Sequence, residues 1–279
     1  MSTMNLKCAV LALVLGGTAQ AVEPMVPYDN FNPTEPNPAR ATKVRGIDPA
    51  RWVDHETGTR LESARELAFT RLRLMSRSDT PGAGSFGLLF SHSSAVTAIA
   101  AKVRLNNART TGYTAPGAPA AESTAELTGH FFNTRTGVPS KNQQDDVIAA
   151  IRIVSRSTDP VGSQLLRVEA LIERCTNASC STRAQLFAAD LGQVHQGEQA
   201  ALRVQWDVAN HRFVFQRDAQ PEVYGAYTVT DTFPPASPNK ALVVTHNPPT
   251  YLSGAPAPLG YANAYFHDVF VNESAAPAP

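Results

Sequence analysis

The sequence lacks an excess of either charge. In 279 residues, 24 Lys+Arg stand against 24 Asp+Glu, and only 17% of positions are charged. Nucleic-acid binding domains usually carry a basic stripe, and disordered acidic chains combine net charge with few apolar residues. Zero net charge with 43% hydrophobic residues fits neither. Long apolar runs are also missing. Residues 8–15 (CAVLALVL) form a run of eight, and no stretch approaches the ~20 residues that cross a bilayer as a helix. The 21 prolines and 17 glycines are scattered, which leaves little room for a long-helix bundle or a coiled coil. There is no His-Glu-x-x-His, no Gly-x-Ser-x-Gly elbow, no phosphate loop and no dinucleotide fingerprint. No repeat of 20–50 residues suggests a solenoid or propeller.

What is present sorts into segments. Residues 1–21 read as a secretory signal peptide: Lys7 precedes the short apolar run, and Ala19-Gln20-Ala21 supplies small residues for cleavage. The expected compartment is extracytoplasmic, periplasmic or secreted. Three cysteines are scarce and odd in number, but Cys8 belongs to the signal. Cys175 and Cys180 are then a pair separated by four residues, suited to a local disulfide across a small loop in an oxidising compartment. Residues 22–45 hold Pro24, Pro27, Pro33, Pro36 and Pro38. They read as an extended N-terminal arm, through which a protein partner could be engaged. Residues 46–274 read as one domain and 275–279 as a disordered tail.

Within the domain, apolar residues recur at every second position. Val147, Ala149, Ile151 and Ile153 share one face, as do Leu166, Val168, Ala170 and Ile172. Leu202, Val204 and Trp206 do so too, and so do Ile99, Ala101, Val103 and Leu105. Phe213 and Phe215 alternate with Arg212 and Val214. This is the pattern of half-buried antiparallel strands. Residues 207–211 (DVANH) read as a hairpin turn and 157–162 (STDPVG) as a connector. Residues 62–75 read as irregular chain followed by a strand from 69 to 74. Residues 231–260, with seven prolines, read as long surface loops. Ten to fourteen short strands imply an all-β fold: two antiparallel sheets in a jelly-roll sandwich.

The order of segments resembles the concanavalin A-like lectin/glucanase superfamily as found in bacterial secreted domains. The residues that carry the likeness are 46–52 (GIDPARW), 129–133 (GHFFN), 145–149 (DDVIA), 174–180 (RCTNASC) and 265–271 (YFHDVFV). The resemblance implies a concanavalin A-like sandwich outside the cytoplasm. It does not fix an activity, because such folds host lectins, hydrolases and lyases alike.

Candidate chemistry is sparse. Retaining glucanases of this superfamily set acids two apart on one strand, so that acid and nucleophile lie about 5–5.5 Å apart. Here Glu169 and Glu173 keep the outer positions, but Leu171 fills the middle; four residues along a strand span about 13–14 Å. The two glutamates are the alternative catalytic pair. No Gln-x-His lyase motif stands in a strand, since 193–195 (QVH) lies between Gly192 and Gly197 in what reads as a loop. No metal site is expected, although Asp145-Asp146 could ligate calcium if carbonyls joined them. Arginine supplies 19 of the 24 Lys+Arg. Its planar guanidinium suits bidentate contacts to carboxylates and hydroxylated glycans. The expected ligand-binding residues are therefore Arg152, Arg167, Glu169, Glu173, Arg203 and His130, on outward faces. The function expected is noncatalytic binding of extracellular carbohydrate or another surface ligand. A polysaccharide-degrading hydrolase or lyase is one alternative, and a structural or envelope-associated interaction protein is another. No nucleic acid, membrane span or cofactor is expected.

Overall fold

The computed structural model describes residues 23–31, 46–67, 70–80, 83–111, 120–135, 142–160, 162–247 and 259–276. The signal-peptide assignment and residues 32–45 and 277–279 lie outside them. Fifteen strands appear among the described residues. They are β1 (Met25–Asp29), β2 (Trp52–Thr57), β3 (Glu62–Leu67), β4 (Leu72–Ser78) and β5 (Gly84–Phe90). Then follow β6 (Ala98–Thr111), β7 (Glu122–Asn133), β8 (Asp146–Arg156), β9 (Leu165–Cys175) and β10 (Arg183–His195). The last five are β11 (Gln199–Asp207), β12 (Arg212–Arg217), β13 (Val223–Ala226), β14 (Lys240–Asn247) and β15 (Leu259–Asn272).

The strands pair antiparallel into two sheets, so the all-β two-sheet jelly-roll sandwich expected from the alternation is the observed fold. An eight-stranded sheet runs β13-β12-β11-β6-β15-β4-β3, with β1 attached to β15. A seven-stranded sheet runs β10-β9-β8-β7-β14-β5-β2. The two inner faces supply the core. Leu72, Leu74, Ile99, Val103, Leu105, Val204, Phe213, Phe215 and Phe266 come from the first sheet, and all are essentially inaccessible to water. Leu88, Leu127, Ile151, Ile153, Val168, Ile172, Leu242 and Val244 answer them from the second. The phase read from the sequence for residues 99–105, 147–153, 166–172 and 202–206 matches this inward set. Each such side chain contributes roughly 1.5–3 kcal/mol by leaving water.

Five segments depart from expectation. Residues 22–45 are not wholly a mobile arm: β1 pairs with β15, and Tyr28 and Phe31 are buried against Trp52. Two aromatic rings in one short apolar stretch outweighed its prolines, which edge positions tolerate. Residues 62–67 are a strand, β3, closing a hairpin with β4. Residues 240–247, inside the proline-rich stretch, form β14, a central strand of the seven-stranded sheet. Residues 193–195 end β10 and the turn follows them. The tail is ordered further than expected, since Ala275 is buried against the core.

Gly129 is closely approached by a neighbouring side chain. A Cβ there would lie 2.3 Å from Cγ of Lys240 on the neighbouring strand. The bare backbone therefore makes room for the Lys240 stem, whose ammonium sits 5.0 Å from the centre of the Phe131 ring.

Cys175 and Cys180 form a disulfide at the end of the β9–β10 hairpin, packed on Ile148. Closing so short a ring restricts the unfolded chain by only about 2 kcal/mol. The double replacement Cys175→Ala with Cys180→Ala is expected to lower unfolding free energy by about that amount. Urea titration followed by circular dichroism checks it. A chain left unfolded in buffer would show that the bond supports more than its own hairpin.

Candidate binding surface

Alternation in β7, β8 and β9 sends one set of side chains into the core and the other set outward. The outward set of the seven-stranded sheet carries an ionic lattice. Register places Asp190 of β10 opposite Glu169 of β9, Glu169 opposite Arg152 of β8, and Arg152 opposite Glu126 of β7. Arg156 stands four residues further along β8, opposite Glu122.

Arg152 and Arg156 each bridge the same two carboxylates. Arg152 reaches Glu169 at 3.0 Å and Glu122 at 3.1 Å. Arg156 reaches Glu169 at 2.6 Å and Glu122 at 2.7 Å. All four side chains are largely buried, 15–21% exposed. Glu126 beside them accepts a hydrogen bond from Thr245 at 2.9 Å and another from Thr124. Three carboxylates therefore surround two guanidiniums. Burial opposes ionisation of Glu169, but the hydrogen bonds and charge of Arg156 and Arg152 outweigh it and hold the carboxyl below its ordinary range. The Arg156 guanidinium is held above its own ordinary value, chiefly by its hydrogen bond to Glu169.

Toward one end of the same face lies a histidine–aspartate pair. His130 Nδ1 is 3.1 Å from Asp146 Oδ2. Asp146 is fully buried and also accepts from Asn133 Nδ2 at 2.8 Å and the Ala236 amide at 2.9 Å. The carboxylate is the acceptor of this contact, so Nδ1 is the nitrogen that donates. Asp145 accepts from Arg135 Nε at 2.9 Å. Asp145 and Asp146 are both engaged by protein donors, and among the described residues no group of three His, Cys, Asp or Glu is placed to hold a metal ion.

Five of the six expected ligand-binding residues share this face: His130, Arg152, Arg167, Glu169 and Glu173. Arg167 is the open one, 47% exposed, with Asp159 at 3.9 Å. Glu173 pairs with Arg183 at 3.1 Å. Glu169 and Glu173 face the same way with Leu171 between them. Arg203 does not join them. It stands on β11, on the outer face of the opposite sheet, paired with Glu222 at 2.7 Å. Alternation tells which residues point outward; it does not tell which sheet they point from. Arg156, Glu122 and Glu126 went unnoticed in the sequence, although Glu122, Glu126 and His130 are separated by even steps on one strand.

No family model matches this sequence, and no curated protein matches it. Solved structures of low identity do align. A GlcNAcα1-4Gal-releasing endo-β-galactosidase from Clostridium perfringens is 10% identical over 91% of this chain, with a TM-score of 0.42. This chain spans only 64% of that protein's length. A glycoside hydrolase family 16 endo-glucanase from Bacteroides ovatus is 12% identical, with a TM-score of 0.40 over 87% of this chain and 97% of that one. The metal-free carbohydrate-recognition domain of Emp46p is 13% identical, with a TM-score of 0.39 over 87% and 99% of the two chains.

Proposed function

We propose that this is an extracytoplasmic protein whose seven-stranded sheet binds carbohydrate, or another hydroxylated or carboxylated surface ligand, on its outer face without catalysis. The observation that carries this reading is the arginine–glutamate lattice. Its guanidinium and carboxylate groups are held in fixed planes by one another, so a ligand meets hydrogen-bonding groups already oriented, and little ordering cost is left to binding. The disulfide accords with an oxidising compartment, and among the described residues no helix is long and apolar enough to cross a membrane.

The same lattice argues against the hydrolase alternative. A glycosidase needs one carboxyl that holds a proton at working pH. Glu169 is pinned as the anion by two arginines, and Glu173 stands four residues further along the strand, about 13–14 Å by backbone rise against the 5–5.5 Å of a retaining pair. The arm-mediated interaction alternative is weakened because β1 is built into a sheet. Deleting 22–45 would remove Tyr28 and Phe31 from the core.

The test is a glycan array probed with the mature chain and with Arg167→Ala, chosen because Arg167 is exposed and marginally paired. Retained fold with binding reduced about tenfold, or 1.4 kcal/mol, is expected. A blank array for the wild type ends the carbohydrate reading. Hydrolysis of any bound glycan would restore the enzyme alternative.

A further inference from the structure

The opposite face of the sandwich holds a second feature that the lattice does not explain. On the outer face of the eight-stranded sheet, Ala100 of β6 and Ala201 of β11 stand among long side chains and leave a notch of about 200 Å³, walled on one side by Phe270 of β15. The notch is built, in part, by an irregularity: the β15–β6 register shifts between His267 and Phe270. Bulges of this sort redirect side chains beside binding sites. Two carboxylates at its rim, Asp268 and Asp218, occupy left-handed backbone conformations, φ +49° and +50°. Such conformations are uncommon outside glycine and cluster where a side chain must be aimed.

The rim is charged but balanced. Lys102 is 2.7 Å from Asp268, Arg203 is 2.7 Å from Glu222, and Arg217 is 3.2 Å from Asp218. No rim charge stands alone to attract an ion. What remains is an apolar floor with an aromatic edge, rimmed by paired carboxylates, an ammonium and the Gln216 amide, which accepts from Arg203 at 3.3 Å and donates to the Gln220 carbonyl at 3.0 Å. That combination matches a neutral ring with one C–H face and several hydroxyls. Drug-sized ligands take clefts of about 300–1,000 Å³, so the notch has room for one such ring and not for a chain of them.

We infer that the notch is a second, independent binding site, for a single neutral pyranose. It stands on the other sheet from the surface proposed above and does not depend on that reading. It would let the protein hold two separate sugar units, one on each side of the sandwich.

Saturation-transfer NMR with free glucose, galactose, mannose and N-acetylglucosamine tests it, with glucuronate as the charged comparison. Transfer to at least one neutral sugar is expected, and weaker transfer to glucuronate. Ala201→Leu fills the notch from an exposed position and should reduce the signal about tenfold by steric clash. Lys102→Gln, also exposed, should weaken it severalfold, and Arg167→Ala on the far face should leave it unchanged. Both notch variants are checked for fold by circular dichroism. Absence of transfer to every neutral sugar, or equal transfer in wild type and Ala201→Leu, overturns the site. A signal lost only in Arg167→Ala also overturns it, while upholding the seven-stranded face.

Discussion

Replacing Lys240 by methionine should stabilise the protein and flatten its response to alkali. Lys240 is 2% exposed. Burial pushes its pKa from 10.5 down to about 7, against the weaker opposing pull of Asp146. Its ammonium donates to the Pro238 carbonyl at 3.5 Å. The unfolded chain takes up this proton below about pH 10.5 and the folded chain only below about pH 7. Between those values the unfolded state holds more protons, so stability rises with pH across that window and the penalty is complete below it. A gap of this size corresponds to roughly 4–5 kcal/mol as an upper bound. Methionine keeps the stem over Phe131 and drops the charge. Urea titrations at several pH values from 6 to 10 should show a variant more stable by several kcal/mol at pH 6, with the excess shrinking toward pH 10. Parallel wild-type and variant curves would mean that Lys240 finds water or a partner that neutralises its burial.

The second large effect is expected at Arg152, with the opposite sign. Removing its guanidinium as Arg152→Ala leaves Glu122, Glu126 and Glu169 with Arg156 alone. Breaking a buried ion network from one side costs about 3–5 kcal/mol, because the remaining charges stay desolvated. The exposed Arg167→Ala should change stability by no more than about 0.5 kcal/mol. The pH dependence identifies the cause. Because the folded pKa of Glu169 is depressed, its contribution is present above the ordinary glutamate pKa and lost as pH falls through the folded value. The deficit of Arg152→Ala against wild type should therefore narrow in acid. The pair Arg152→Met with Glu169→Leu should cost less than the two single changes added together. Strict additivity would show that the lattice is not energetically coupled. A practical corollary is that Arg152→Ala is a poor probe of ligand binding, since it perturbs the fold that presents the ligand.

The sandwich was legible because its signal is local and repeated. From Ile99 to Leu105 and from Leu166 to Ile172, every second side chain must be apolar if one face is to be dry, and each run says so by itself. Central position was not legible. β14 begins with a lysine after a run of prolines, and its apolar centre is only a few residues long. What makes it a strand is the pair of neighbours, β7 and β5, supplied from far away in the chain. The lattice was half legible for the same reason. Arg152 and Glu169 could be assigned outward, but their meeting depends on the register of β8 with β9. Arg203 shows the converse error, since identical phase on the other sheet put it on the opposite side of the molecule.

Both layers share a mid-sheet dependence on late chain. β14 separates β7 from β5, and β15 separates β6 from β4. Without residues 240–272, the β3–β4 hairpin of one sheet and the β2–β5 pair of the other have no strand to join them to the rest of their layers. Loop closure over such separations is slow. Each sheet is thus closed by one strand from the last part of the chain, and the sandwich locks only when β14 and β15 are both in place.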